Sequence, residues 1–285
     1  MPLALSTLLI AMAAVQFGAS TAKGIFPLLA PSGATTWRLT IAALILTIVW
    51  RPWKLRPTGE QWKGILRYGM ALGLMNLFFY WAIARIPLGV AVALEFTGPL
   101  GVALWSSRRQ QDLLWAGFAA FGLLLLFPWG PTSTLDGIGV AFALAAGGCW
   151  ALYIIFGQSL GKSFHGGRGV ALGMGVAALV VLPVGVMQNG SELWQPSVLW
   201  QAALVGIFSS AIPYSLEMIA LKRIPPATFG ILMSLEPALA ALMGWLFLQE
   251  KLSSWEMVAI GLIIVASLGS TLTSIKATLS PPPPL

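Results

Sequence analysis

Runs of apolar residues long enough to cross a bilayer recur along this chain from one end to the other. A membrane-spanning helix needs about 20 predominantly apolar residues, and a helix satisfies all its backbone hydrogen bonds within itself. Only 9% of the 285 residues are charged and 58% are hydrophobic, against about a quarter charged in a soluble domain. The chain therefore reads as an all-α membrane protein with many spans. Punctuation by Pro, Gly and charge divides it into ten, at roughly 3–23, 34–50, 62–83, 86–105, 113–130, 136–157, 169–187, 197–218, 226–247 and 254–274.

The connections are short, which leaves no room for a separate soluble domain. The longest polar loop is RPWKLRPTGEQWKG, residues 51–64, and the SPPPPL tail ends the chain. Residues 276–285 read as a Pro-rich disordered tail. The opening stretch MPLALSTLLIAMAAVQFGAS lacks a basic leader and is too long for a signal-peptide core, so it reads as the first span.

Basic residues orient the spans. With the N-terminus inside, twelve of the sixteen Lys and Arg fall on the cytoplasmic side. Lys23, Arg38, Arg85 and Lys251 are left for the outer side or the membrane. The positive-inside rule therefore places both termini in the cytoplasm. The net charge of +7 belongs to those loops and not to a nucleic-acid partner. Tryptophans at the proposed ends (Trp37, Trp50, Trp53, Trp62, Trp129, Trp194, Trp200, Trp255) suit the membrane interfaces, where lipids are the partner.

The chain also repeats itself. Residues 82–104, AIARIPLGVAVALEFTGPLGVAL, align without gaps on residues 220–242, ALKRIPPATFGILMSLEPALAAL. Eight of the twenty-three positions match, among them Arg85/Arg223, Ile86/Ile224, Pro87/Pro225 and Pro99/Pro237. Five helices per copy is an odd number, so the second copy enters the membrane upside down. The expected architecture is ten transmembrane helices in two inverted five-helix repeats, residues 1–130 and 136–275, as in many secondary transporters.

Chemistry enters where polar residues sit inside the spans. Glu95 lies near the middle of the fourth span, where a carboxylate costs about 2.5–3.5 kcal/mol on insertion scales and must be protonated, paired or facing water. Pro99 lacks the N–H that would bond the carbonyl four residues earlier, which is that of Glu95. Carboxylate and freed carbonyl are thus expected at one depth, facing protein or a polar cavity. In the second copy Met233 takes the place of Glu95, while Glu236 precedes Pro237 and corresponds to Gly98. Positions three apart share a helix face, so the two glutamates point the same way in the repeat frame, about a turn apart.

Gln16, Asn76 and Tyr80 offer neutral hydrogen bonds to a ligand or to a neighbouring helix. Lys23 and Arg38, near outer helix ends, either meet substrate or snorkel to the interface. Tyr153 and Tyr214 are weaker candidates, and Glu217 suits a solvated helix end. The single Cys149 and single His165 leave no Cys/His cluster for a transition metal. Neither a catalytic triad nor a Walker motif is present, so an enzyme and an ATP-driven pump are disfavoured and no cofactor is expected.

The stretch LEPALAALMGWLFLQEKLSSWEMVAIGLIIVAS (235–267) resembles the EamA-type drug/metabolite transporters. Residues 92–109, VALEFTGPLGVALWSSRR, and the KGIFPLLAPSG…WRL region (23–39) are more narrowly similar to the bacterial inner-membrane threonine and homoserine exporters. The resemblance covers the chain apart from its tail. It implies a multi-pass inner-membrane exporter of small amino acids, working by alternating access around a central cavity between the halves. Protons are the coupling ion the family implies, and one chain suffices to build the cavity. Glu95 is then expected to meet the substrate ammonium or the coupled proton, with Gln16, Asn76 and Tyr80 orienting the rest and Glu236 assisting. Other cargo, cationic drugs included, stays open, because Phe78, Phe79, Trp81 and Phe96 surround Glu95 in sequence.

Overall fold

A computed structural model describes residues 2–106, 110–126, 135–164, 167–211 and 233–279. Its regular elements are helices, with no strand among the described residues. In chain order these are α1 (Pro2–Gly24), α2 (Pro31–Trp50), α3 (Gly59–Ile83), α4 (Leu88–Ser106), α5 (Gln110–Leu126), α6 (Gly137–Ser163), α7 (Arg168–Asn189) and α8 (Pro196–Gly206). Then come α9 (Glu236–Leu248) and α10 (Ser254–Leu279). Short 3₁₀ turns, Pro52–Lys54 and Gly190–Trp194, follow α2 and α7, and α8 runs on as a π-helical stretch, Ile207–Ala211.

Four segments are long and apolar enough to cross a membrane: Pro31–Trp50, Gly137–Gly161, Arg168–Trp194 and Ser254–Thr273. Leu88–Val102, Leu113–Leu126 and Glu236–Leu248 are shorter apolar helices. The expected spans at 34–50, 62–83 and 86–105 coincide with α2, α3 and α4 to within a few residues. Two differ more. α6 continues to Ser163 and not 157, because GQSLGK contains no proline to stop it. α10 continues to Leu279, beyond the expected end of the second repeat at 275, and 280–285 lie outside the described residues. So do the first residues of the expected ninth span, 226–232, and the Arg223–Pro225 triplet before it, along with Tyr214, Glu217, Trp129 and His165.

Helix ends follow local chemistry. Pro31 opens α2 at a position whose N–H has no helical partner anyway. Arg51 closes it in the left-handed region (φ 49°) before Pro52. Thr58 and Gln61 form a reciprocal capping box at α3, with Thr58 N–H donating to Gln61 Oε1 at 2.9 Å. Ser253 and Glu256 do the same for α10, where Ser253 N–H donates to Glu256 Oε2 at 2.6 Å. Asn189 ties α7 to α2, accepting from Ala30 N–H at 2.8 Å and donating to Ser32 Oγ at 3.2 Å.

The helices pack in a connected pattern. α3 lies against α6 and α7, α2 against α7 and α8, and α4 against α6, α9 and α10. α5 lies along α10, and α1 meets α9, α8 and the π-helical stretch. The outer surface stays apolar: Ile48, Leu179, Met187, Trp105 and Trp245 are all exposed. A soluble monomer does not carry contiguous apolar surface on that scale, whereas hydrocarbon solvates it.

At the rim of the bundle, Asp136 caps α6 from just outside the apolar run, accepting from Ile138 N–H at 2.9 Å. Its other oxygen meets Arg85 Nη1 at 2.8 Å, joining the α3–α4 turn to α6. The Arg85 hydrogen bond, then the Ile138 amide, hold the Asp136 carboxyl below the usual carboxylate range. A depressed folded-state pKa stabilises the fold at neutral pH, and that contribution disappears as pH falls through the folded value. Asp136→Asn should accordingly unfold at a lower temperature than the parent at pH 7 in detergent. The gap should close below the ordinary aspartate pKa of about 3.9; thermal unfolding followed across pH checks it.

Candidate functional site

The site starts from a broken helix. Pro99 lies inside α4, which stays helical through it. The freed carbonyl of Glu95 turns toward α6: a Cβ built on Gly147 would stand 2.7 Å from it. Gly98 faces the same crossing, where any Cβ would drive into the Gly147 carbonyl. Two glycines thus bring the α4 and α6 backbones into contact at the proline break. Of the two expected surroundings, protein or a polar cavity, the carbonyl has protein, because the α6 backbone covers it.

The Glu95 side chain is buried, as is Glu236 at the first turn of α9 beside Pro237. Arg38 of α2 lies 5.5 Å over the Tyr80 ring of α3. Its Nη1 donates to the Tyr80 hydroxyl and its Nη2 to the Ser209 carbonyl, each at 3.4 Å, long for bonds from a guanidinium. Both Arg38 and Glu236 lie close enough to Glu95 to act on it electrostatically. α2, α3, α4, α9 and the π-helical end of α8 therefore converge on one buried cluster of two carboxylates, a guanidinium and a phenol. Aromatic rings pack beside it, with Phe26 against Tyr80 (5.9 Å) and Phe96 edge-on to Trp150 (5.7 Å). Cys149, the single cysteine of the chain, is near enough to feel the Glu95 charge.

The other expected residues divide. Gln16 is buried on α1 and its Oε1 has no hydrogen-bond partner among the described residues, an acceptor a guest could use. Asn76 is buried but donates to the Leu72 carbonyl of its own helix at 2.9 Å. Lys23 does not join the cluster, since its ammonium is held at the end of α1 by Glu250 and the Ile86 carbonyl. Phe78 and Trp81 pack on Phe142, and Tyr153 pairs with Tyr68 at 5.0 Å, lining a separate recess.

Ser209 was not anticipated. Its carbonyl stands four residues before Pro213, the relation Glu95 bears to Pro99. A proline four residues on has no N–H to offer that carbonyl, and Arg38 supplies one instead. That spacing was readable in the sequence.

Comparison with known proteins places the chain in a family. The chain is 52% identical over 267 residues to the threonine/homoserine exporter RhtA of Escherichia coli K12, covering 93% of this chain and 90% of that one. It belongs to the EamA-like transporter family. The model of that family matches residues 137–272. The Salmonella typhimurium LT2 exporter of the same name is 51% identical over the same shares of each chain. The uncharacterized transporter YwfM of Bacillus subtilis is 25% identical over 84% of this chain and 87% of its own. One crystal structure superposes with a TM-score of 0.60 at 18% identity, covering 95% of this chain and 98% of that one, a likeness of fold alone. Family members are transporters, in line with the absence of catalytic motifs. The chain is a multi-pass membrane protein.

The α4–α6 crossing makes a direct prediction. Gly98→Ala should cost about 1–3 kcal/mol, the usual range for overpacking. Gly101→Ala, where a Cβ meets nothing within 4 Å, should leave stability nearly unchanged. Thermal unfolding of the two variants in detergent compares them.

Proposed function

We propose that this chain exports threonine, homoserine and similar small amino acids from the cytoplasm across the inner membrane. The reading takes its cargo from the relatives' names and its mechanism from the cluster. One observation carries it: Arg38, Tyr80, Glu95 and Glu236, drawn from both parts of the chain, stand together in a buried site. A zwitterion needs both signs of charge at one place. Arg38 takes the substrate carboxylate in a charge-assisted fork. Glu95 takes the ammonium, or a proton when the site is empty, because a carboxylate at membrane depth has to be neutralised or matched. Glu236 assists from α9, while Gln16 and Tyr80 orient the rest of the molecule. A lipophilic cation would gain from Glu95 and from Phe96 with Trp150, but Arg38 opposes it.

The architecture proposed with this is two inverted five-helix halves that give alternating access. Neighbour relations support it. Exchanging the halves maps α2–α7, α4–α9 and α5–α10 onto themselves. It maps α3–α6, α3–α7 and α4–α6 onto α8–α1, α8–α2 and α9–α1, each of which is also a contact. α2–α3, α3–α4 and α4–α10 have no comparable counterpart among the described residues, and the halves differ in chemistry too, with Met233 standing against Glu95. In this reading both termini are cytoplasmic, protons drive export and a single chain suffices.

Counterflow of labelled threonine in proteoliposomes, chased by unlabelled solutes, tests the cargo. Homoserine and threonine should compete and lipophilic cations should not. Glu95→Gln should slow transport at least about tenfold, the worth of one charged hydrogen bond, and flatten its pH dependence. A full rate with unchanged pH dependence would sink the role given to Glu95. Threonine should also slow alkylation of Cys149 in the unmodified protein, read by mass spectrometry; equal rates with and without it would count against a site beside Glu95.

A further inference from the structure

At one end of the bundle the last turn of α1, the first of α4 and the last of α9 are tied into a single polar knot. Lys23 Nζ donates to Glu250 Oε1 at 2.5 Å and to the Ile86 carbonyl at 2.8 Å. Glu250 Oε2 accepts the Leu88 backbone N–H at 2.7 Å, one of the orphan donors at the start of α4. The backbone N–H of Glu250 donates to the Gly244 carbonyl at 3.1 Å and closes α9, with Gln249 in the left-handed region (φ 55°). Gly244 leaves the room: a Cβ there would stand 2.5 Å from Glu250 Oε2 and 3.5 Å from Leu88 Cβ. Just inside the knot, Gly89 lies against Ala241, where a Cβ would stand 2.6 Å from the alanine methyl.

Two features separate this knot from an ordinary surface pair. Its partners come from opposite halves of the chain, Lys23 and Leu88 from one and Glu250 from the other. The helices it joins carry the site, Glu95 on α4 and Glu236 on α9. Two turns, about 10.5 Å, separate Leu88 from Glu95 and Lys23 from Gln16, so the knot stands over the cluster. Its side chains keep 20% and 13% exposure. Water at that edge can replace contacts as they break, which lowers the cost of opening below that of a fully buried pair. An apolar plug of the same area would have no such replacement.

We propose that Lys23 and Glu250 form the outer gate of the transporter, holding α1, α4 and α9 together while substrate loads and parting to release it. This rests on the exporter reading and its topology, which put these ends on the outer face. The pair is a gate and not a binding site, so its loss changes access before it changes affinity.

Cys149, beside Glu95, reports that access. A membrane-impermeant thiol reagent applied from the outside should label Cys149 about tenfold faster in Lys23→Gln and Glu250→Gln, the shift expected from losing one charged hydrogen bond. Threonine affinity in detergent should stay within about twofold. Unchanged labelling in both variants, or a large loss of threonine affinity with unchanged labelling, overturns the gate. A second arm replaces the ion pair by a reversible covalent tie. In a Cys149→Ser parent whose own export is the reference, Lys23→Cys and Glu250→Cys are bridged by a short bis-methanethiosulfonate. Bridging should abolish threonine export and spare threonine binding, and a reductant should restore export. Export that continues through the bridged protein overturns the gate. If the wild-type protein moves neither threonine nor homoserine while the labelling shifts stand, the cargo reading fails and the gate survives.

Discussion

A carboxylate buried in an apolar bundle has to be matched by opposite charge or by a proton, and much of this structure answers that demand. Glu95 and Glu236 are both withdrawn from water, and Arg38 reaches in from α2 to lie near them. An arginine suits the position because its charge persists in any surroundings and its planar face can rest on Tyr80. The cluster thereby holds both signs of charge in one buried place, which is what the proposed zwitterionic cargo requires.

Backbone defects position these charges. Pro99 frees the Glu95 carbonyl and Gly147 lets α6 come close enough to cover it. Ser209 sits in a π-helical stretch, a geometry found disproportionately at functional sites, and its carbonyl is held by the same Arg38 that faces the glutamates. One guanidinium therefore links a backbone irregularity in the second half of the chain to the side-chain chemistry of the first. Disturbing either end of that link moves the charge the site depends on.

How far all this was legible varies by residue, for physical reasons. Helix positions followed from hydropathy and punctuation, because a bilayer tolerates few alternatives. Glu95 announced itself through the cost of its depth and the adjacent proline. Lys23 did not, because whether a lysine at a helix end snorkels or pairs depends on Glu250, 227 positions away. Asn76 could be placed by depth but its bonding could not be read from sequence: a short amide on a helix readily bonds the carbonyl one turn back, as it does to Leu72. Ser209 was missed although Pro213 marked it, because the search followed side chains and the signal lay in a backbone carbonyl.

The contact between Gly98 and Gly147 bears on mechanics as well as packing. α4 comes from the first half of the chain and α6 from the second, yet no side chain stands between their backbones at the crossing. A displacement that spares this weld carries the two helices as one piece. In the proposed two-half architecture the hinge lines would then cut across the halves, and a gene cut at the midpoint would divide this piece.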